Sequence, residues 1–354
     1  MITDAKILLC FNAPASIFSV YNGKPAENKS DGDDLSEKSF LRELEHTKNS
    51  LRKYFMQVES LAIGRNLQKT LDGIISQRPD AIFNFVETVE GISAYENCIA
   101  GLFELLCVPY TGCGPISLGN CLNKARTKDI LSSFGIKTPG YLTFKPNTRF
   151  TKKDISINYP IILKLLREDA SIGISEFSVV KNYTELKKQF NFLSKTYKQE
   201  ILLEEYIKGR EINVAILGNR PLPVSEINFE GLPKNFPKIV TYDGKWIDNS
   251  VYYNHTKPVC PAKISESMRK RLHKIAMFSF EALGCRDYAR VDFRISSNGI
   301  PYVIEVNPNP DISSDSGFAR AAKAAGINHP ELLFTIANFA LKRKKSNDTQ
   351  TKAG

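Results

Sequence analysis

Tyr288-Ala289-Arg290-Val291-Asp292-Phe293-Arg294-Ile295, the turn Ser297-Asn298-Gly299, and Pro301-Tyr302-Val303-Ile304-Glu305-Val306-Asn307 read as one β-hairpin that carries charge where a buried strand would carry none. The Asn-Gly pair supplies the positive φ values that a tight hairpin turn demands. Side chains two apart in a strand project to the same face, so Arg290 and Asp292 share one side of the first strand and Glu305 and Asn307 one side of the second. If those sides coincide, three oxygen-bearing side chains and one guanidinium converge. An acidic, oxygen-only set suits magnesium, a hard cation that prefers carboxylate, amide and phosphate oxygens. The competing reading is a surface salt bridge laid across two strands. The next residues, Pro308-Asn309-Pro310-Asp311, favour a site, because two prolines end the strand abruptly and fix the backbone at its edge.

Outward from this hairpin the chain reads as helices and strands in alternation. Upstream lie a long helix from about Ser265 to Ala282 and two β-rich runs, Glu211 to Leu217 and Leu222 to Asn228, joined by Gly218-Asn219-Arg220-Pro221. Downstream, helices at Gly317 to Ala325 and Pro330 to Lys344 close the fold. The middle section offers a helix at Lys124 to Phe134, strands at Tyr141 to Phe144, Ile161 to Leu165, Phe177 to Val180 and Ile201 to Ile207, and a helix at Tyr183 to Tyr197. In the first third, strands at Lys6 to Cys10, Val58 to Ile63 and Ala81 to Val86 alternate with helical stripes such as Phe40, Leu44 and Leu51, or Tyr95, Ile99, Leu102 and Leu106. A polar loop from Tyr21 to Asp34 follows the first strand. That alternation is the pattern of a small parallel sheet wrapped by helices.

At 354 residues the chain exceeds one ordinary domain and has room for two or three lobes with a cleft between them. Hydrophobic content of 42% and charged content of 24% exclude disorder and fibrous classes. No run approaches the roughly 18 to 20 apolar residues of a membrane helix. The opening MITDAKILLCFNAPAS has no secretory pattern, so a cytoplasmic location is expected. The seven cysteines include no C-x-x-C pair and sit mostly in apolar segments, which indicates reduced thiols rather than disulfides or metal ligands. The net charge of +10 raises nucleic acid as a partner, but the basic residues are scattered and several fall in the tail Lys342, Arg343, Lys344, Lys345 and Lys352. No nucleic-acid partner is expected.

Other residues carry chemical signals. Glu204-Glu205-Tyr206-Ile207 ends a strand before the Lys208-Gly209 turn and Glu211, and strand-end groups of this kind can hydrogen-bond a base and its ribose. Lys164 stands alone in the apolar run Pro160 to Leu166, where a phosphate partner explains an ammonium better than packing does; Lys124 heads a helix. The loop Arg167-Glu168-Asp169-Ala170-Ser171-Ile172-Gly173 can cradle phosphate oxygens with its N–H groups, although no G-x-x-x-x-G-K-[ST] occurs. Gly112-Cys113-Gly114 lacks the third glycine of a dinucleotide fold, the four histidines have no metal spacing, and no serine or cysteine stands in a nucleophile elbow.

Phe83-Asn84-Phe85, Pro109-Tyr110-Thr111-Gly112, Lys124-Ala125-Arg126-Thr127-Lys128, Glu204 to Ile207, Gly209-Arg210-Glu211, the run Leu283 to Phe293, and Glu305-Val306-Asn307-Pro308 come in the order and approximate spacing of one family. Together they resemble the D-alanine–D-alanine ligase branch of the ATP-grasp enzymes, well from about residue 80 to 345 and poorly before it. The resemblance implies an α/β protein of ATP-grasp fold: an N-terminal open α/β lobe at 1–122, a central α+β lobe at 123–207, a C-terminal α+β lobe with the metal site at 208–345, and a basic tail at 346–354. It implies ATP between the central and C-terminal lobes, Mg2+ with Mn2+ as an alternative, and small-molecule carboxylate and amine substrates facing the N-terminal lobe. Carried over by position, Lys124 and Lys164 contact the ATP phosphates, Ser171 belongs to the phosphate loop, Glu204 meets the adenine amino group, Glu205 and Ile207 meet adenine through their backbone, and Glu211 meets the ribose. Asp292, Glu305 and Asn307 look like the metal ligands, and Arg290 resembles the group that steadies the acyl phosphate. Lys245 and Ser316 stand where the family holds the carboxylate of the second substrate, and family members are often dimers.

The departures from that pattern are local. The family has a glycine-rich loop after the first strand with a glutamate that grips the first D-alanine; here Phe11-Asn12-Ala13-Pro14-Ala15-Ser16 contains no acid. A serine expected in the phosphate loop is Ala170, and a glycine expected after the metal strand is Asp311. The expected activity is therefore ATP-dependent amide-bond formation through an acyl phosphate, with ADP and phosphate released and the amino acids left open. Two other readings remain on these residues: the same mechanism on another acid, or a nucleotide-binding protein that has lost catalysis.

Overall fold

The structure is a computed structural model that describes residues 2–13, 15–24 and 35–351. Pro14, residues 25–34 of the expected polar loop, the side chain of Phe40 and the end of the expected tail lie outside the described residues.

Three sheets follow one another along the chain. The first is parallel, in the order β2-β1-β3, built from β1 (Thr3–Asn12), β2 (Phe55–Ile63) and β3 (Ala81–Phe85). Its central run Ile7-Leu8-Leu9-Cys10 is wholly buried, because both faces are covered, as a parallel sheet requires. Ile7 and Leu9 share a core with Leu332, Leu333 and Ile336 of the last helix. Leu8 and Cys10, on the other face, belong to the core that also holds Val291 and Phe293.

The second sheet is antiparallel, in the order β4-β7-β5-β6, from β4 (Tyr141–Phe144), β5 (Ile161–Leu165), β6 (Val179–Val180) and β7 (Ile201–Glu205). The helix Tyr183–Tyr197 packs on it through Leu186, Phe190 and Leu193. It starts where Asn182 accepts from the Glu185 N–H and ends at Lys198 in the left-handed region, the usual devices for satisfying helix ends.

The third sheet joins β8 (Gly209–Leu217), β9 (Arg220–Pro221), β10 (Ser225–Asn228), β11 (Lys257–Val259), β12 (Tyr288–Ser296) and β13 (Pro301–Asn307), in the order β11-β10-β8-β12-β13 with β9 paired to β8. β12 and β13 form the expected hairpin, with Arg290 opposite Asn307 and Asp292 opposite Glu305.

Several elements differ from expectation. The run expected as one strand from Leu222 to Asn228 begins only at Ser225, because Pro223 has no N–H to give a ladder. A helix at Pro115–Leu122, with Gly114 as its cap and proline in its first turn, was not anticipated, although that pairing is a start signal. Short helices at Tyr242–Trp246 and Val251–His255 were also unforeseen. The last helix runs His329–Thr351, past the point where the tail was expected to leave it.

Candidate active site

One cavity of about 720 Å³ opens between the three sheets, a volume in the range of small-molecule sites. Every candidate residue from the sequence lines it: Lys124, Lys164, Ser171, Glu204, Glu205, Ile207, Glu211, Lys245, Arg290, Asp292, Glu305, Asn307 and Ser316.

The hairpin register brings its charged side chains to one face. The Asp292 carboxylate accepts from Arg290 at both prongs (Nε to Oδ1 2.7 Å, Nη2 to Oδ2 2.8 Å), from Asn213 Nδ2 at 2.7 Å and from Asn307 Nδ2 at 3.1 Å. Asn213 reaches it from β8, where it stands opposite Asp292. Burial disfavours the Arg290 charge, but Asp292 and then Glu305 more than offset it and raise its pKa. Glu305 is pushed up by burial and pulled down further by Lys124 and Lys164, to about 2, so it is ionised.

These donors fit a hard cation. The Asn307 amide gives its N–H to Asp292, which leaves its carbonyl oxygen as the free donor beside two carboxylates. A cation there would displace one of the contacts now made to Asp292. Among the described residues no cluster of three or more His, Cys, Asp or Glu side chains has metal-binding geometry; the set here is two carboxylates and one amide oxygen.

Lysines form the opposite wall. Lys124 Nζ donates to the Glu168 carbonyl at 2.7 Å and Asp169 Oδ1 at 2.9 Å, and lies 3.2 Å from Glu305 Oε1. Burial would lower its pKa, but Asp169 and Glu305 raise it above the ordinary value. Lys164 Nζ donates to Glu204 Oε1 at 3.1 Å. On the other oxygen, Lys128 Nζ sits 2.6 Å from Oε2. That contact is off the angle for a hydrogen bond, yet at such a distance the Coulomb attraction holds regardless of angle. Glu204 is 2% exposed and Lys128 1%. Burial raises the Glu204 pKa, and the two lysines bring it below the ordinary value, so the cluster is ionic.

The link between β7 and β8 supplies backbone groups. The Glu205 N–H is taken by the Gly140 carbonyl, and its side chain accepts from Asn158, whereas Ile207 offers an N–H with no protein partner among the described residues. Glu211 accepts from Arg294 Nη1 at 2.7 Å. The loop before β6 holds Ala170, Ser171 and Gly173 at positive φ. Two non-glycine residues there store strain, as loops at functional sites do. That loop is gripped from outside by the segment after β1: Gly173 N–H donates to the Tyr21 carbonyl at 2.7 Å and Ser175 Oγ to the Gly23 carbonyl at 3.2 Å.

The side facing the first sheet is lined by Glu87, Glu96 and Glu168. Glu168 accepts from Gln199 at 2.7 Å, and burial lifts its pKa to about 7. Burial, then Glu87 and Asp169, push Glu96 well above the carboxylate range. Asn84 is 2% exposed; its Oδ1 accepts from the Val86 N–H, and its Nδ2 has no partner among the described residues.

Sequence reasoning did not single out Lys128, Asn213, Arg294, Glu96 or Glu168. Lys128 lies four residues after Lys124 on one helix face, and Asn213 and Arg294 lie two residues from Glu211 and Asp292 in strands, so their spacing carried a usable signal. Glu168 sat inside the loop read as a phosphate cradle but with nothing to mark its side chain, and Glu96 had no signal, because it joins the cavity only through tertiary packing.

A cleft walled by lysines from one antiparallel sheet and the helix Lys124–Ser133, and by oxygen donors on a second antiparallel sheet, is the arrangement of an ATP-grasp enzyme. Comparison with known proteins narrows this. The family described as D-ala D-ala ligase C-terminus matches residues 130–338. The D-alanine–D-alanine ligase of Nitrosomonas europaea is 30% identical over 76% of this chain and 83% of its own length, and that of Carboxydothermus hydrogenoformans 31% identical over 84% and 91%. The crystal structure of D-alanine–D-alanine ligase from Bacillus anthracis complexed with ATP superposes with a TM-score of 0.71 at 23% identity, covering 98% of this chain and 100% of that one. The chain belongs to the D-alanine–D-alanine ligase family of ATP-grasp enzymes, and it is an ATP-dependent ligase that forms a carbon–nitrogen bond.

Proposed function

We propose that this enzyme joins a carboxylate to an amine through an acyl phosphate. The observation that carries the reading is the sharing of one cavity by Arg290, Asp292, Glu305 and Asn307 with Lys124 and Lys164. Lys124 and Lys164 hold the ATP phosphates, Ser171 and its neighbours cover them, Glu204, Glu205 and Ile207 receive the adenine, and Glu211 the ribose. Asp292, Glu305 and Asn307 hold magnesium, or manganese in its place, which when bound supplies charge neutralisation for the transferring phosphoryl group. The carboxylate oxygen of the acid attacks the terminal phosphorus and ADP leaves; the amine nitrogen then attacks the acyl carbon and phosphate leaves. Arg290 steadies the negative charge that builds on oxygen in both steps, a contribution that needs no covalent role. Lys245 and Ser316 hold the carboxylate of the amine substrate.

The lobes proposed for this work are 1–122, 123–207 and 208–345, with the nucleotide between the last two. The acid substrate faces the first lobe, where Asn84 offers an unpartnered amide N–H and the carboxyl groups of Glu87, Glu96 and Glu168 line the cavity. With no acid in the loop at Ala15, D-alanine is not the sole or best acid substrate in this reading. Partners are small molecules, with no nucleic acid; none of the described helices is long and apolar enough to cross a membrane. A cytoplasmic homodimer is the proposed working form.

The test is incubation with ATP, magnesium and pools of D- or L-amino acids, scored for ADP, phosphate and product mass. Release that requires both an acid and an amine supports the reading. Nucleotide binding without turnover on any pool, or ADP formation stimulated only by nucleic acid, would sink it.

A further inference from the structure

The end of the cavity near the helix Gly317–Ala324 holds more positive charge than one substrate carboxylate requires. Arg320 lines it with Arg290, Lys245 and Ser316. Among the described residues, its guanidinium makes one hydrogen bond, from Nη1 to the Asp315 backbone carbonyl, and no carboxylate lies within ion-pair distance of it. The two nearest acids are turned into their own loop: Asp311 Oδ1 accepts from the Ser313 N–H at 2.8 Å and Asp315 Oδ1 from the Ser313 hydroxyl at 3.2 Å. Burial lowers the Arg320 pKa, and Asp315 and Asp311 do not make up the loss. Lys245 also has no side-chain partner among the described residues, but it is exposed to solvent in the cleft, and the nearby Arg290 charge works against its own. Arg290 itself is committed to Asp292 by a two-pronged bond.

A partly buried cation without a counter-ion is costly unless something anionic completes it. Lys245 and Ser316 together suffice for the single carboxylate of a neutral amino acid. Arg320 is then left over, and its planar fork matches a second carboxylate in bidentate fashion.

Resting on the ligase reading above, we infer that the amine substrate carries two anionic groups, as an amino acid with an acidic side chain does, and that Arg320 is the residue that selects the second of them. Lys245 and Ser316 take the α-carboxylate, Arg320 takes the side-chain carboxylate, and the amino group between them faces the acyl carbon.

The test uses the full chain with ATP, magnesium and a pool of acyl donors, and varies the amine: aspartate and glutamate, against alanine and glycine, against an amino-acid amide with no carboxylate. Phosphate release gives kcat/KM, and product mass identifies the conjugate. An acidic amine should exceed the neutral ones by at least about tenfold, and Arg320→Met should cut the acidic-to-neutral ratio by about 30- to 100-fold, mainly through KM, the size expected for a lost charged hydrogen-bond pair. Arg320→Lys, which keeps the charge, should retain part of the preference and guards against a variant that fails to fold. Equal use of neutral and acidic amines by the wild type, or equal loss on both in Arg320→Met, overturns the inference while leaving the ligase reading intact. Absence of phosphate release with every pairing overturns both.

Discussion

Arg290 and Asp292, two residues apart on β12, are locked in a fork of 2.7 and 2.8 Å on the face of the strand that looks into the cleft. Asp292 therefore has two kinds of partner within reach, the guanidinium and the amides of Asn213 and Asn307, and Glu305 stands opposite it across the ladder. The strand pair presents the proposed cation ligands and the proposed charge-stabilising arginine on one face.

Removing charge from that unit should stop the reaction and spare the fold. Asp292→Asn and Glu305→Gln are each expected to lower turnover by at least about a hundredfold, the usual size of one lost electrostatic contact to a developing charge. Both should still fold, since Arg290 is half-buried and faces the cavity. ADP-release kinetics and circular dichroism check the two halves of the claim, and wild-type turnover in either variant would refute the cation assignment.

The cluster of Lys128, Glu204 and Lys164 gives an ordered stability prediction. Glu204→Gln takes from both lysines the carboxylate they touch and leaves only the more distant Glu305 to offset them, with Lys128 at 1% exposure. Breaking a buried pair in this way costs about 3 kcal/mol or more. Lys128→Met leaves Glu204 still paired to Lys164 and should cost less, about 1–2 kcal/mol. Urea denaturation of the two variants decides it: equal losses, or the reverse order, would show that Lys128 does not depend on Glu204.

Glu168 makes stability depend on pH. A glutamate carboxyl ordinarily titrates near 4.5, and burial raises this one to about 7 in the folded chain. Between those values the folded state binds more protons than the unfolded, so stability is fully present below pH 4.5 and is lost as pH rises through 7. The total is at most about 3 kcal/mol. Glu168→Gln removes this component, so the wild-type-minus-variant difference in unfolding free energy should fall from pH 5 to pH 8; a flat difference would contradict the assignment.

Much of this was legible before the structure. The β12–β13 hairpin could be read because its turn, its period of two and its charged residues agree with one another, and the helix Tyr183–Tyr197 because a capping Asn182 precedes a clear apolar stripe. The helix Pro115–Leu122 hid behind Gly119 and a mostly apolar sequence without helical alternation. At the site, most residues inside motifs were found, Lys128 being an exception, and residues that arrive by long-range packing were not. Glu96 and Asn309, 3.3 Å apart, are separated by more than half the chain. The grip of Tyr21 and Gly23 on the loop from Asp169 to Ser175 was invisible for the same reason, since nothing in a polar loop announces which distant loop it will touch.

That grip yields the sharpest test of how the N-terminal segment shapes the site. Gly23 has φ +70°, and a Cβ placed there would stand 2.3 Å from the Gly173 carbonyl oxygen, closer than any real contact. Its neighbours are held as well: the Gly23 N–H donates to the Tyr197 hydroxyl at 3.2 Å, and Lys24 pairs with Asp243 at 2.7 Å and Glu176 at 3.0 Å. Neither backbone can yield without moving the loop that runs from Asp169 through Ser175. Gly23→Ala should therefore cost about 1–3 kcal/mol through strain and displacement, and should raise the KM for ATP several-fold, because moving Gly173 moves the adjoining Ala170 and Ser171, both at positive φ, in the loop proposed to cover the phosphates. Unfolding measurements and ATP kinetics on the one variant check both; a stable Gly23→Ala enzyme with unaltered KM would mean that the segment covers the loop without shaping it.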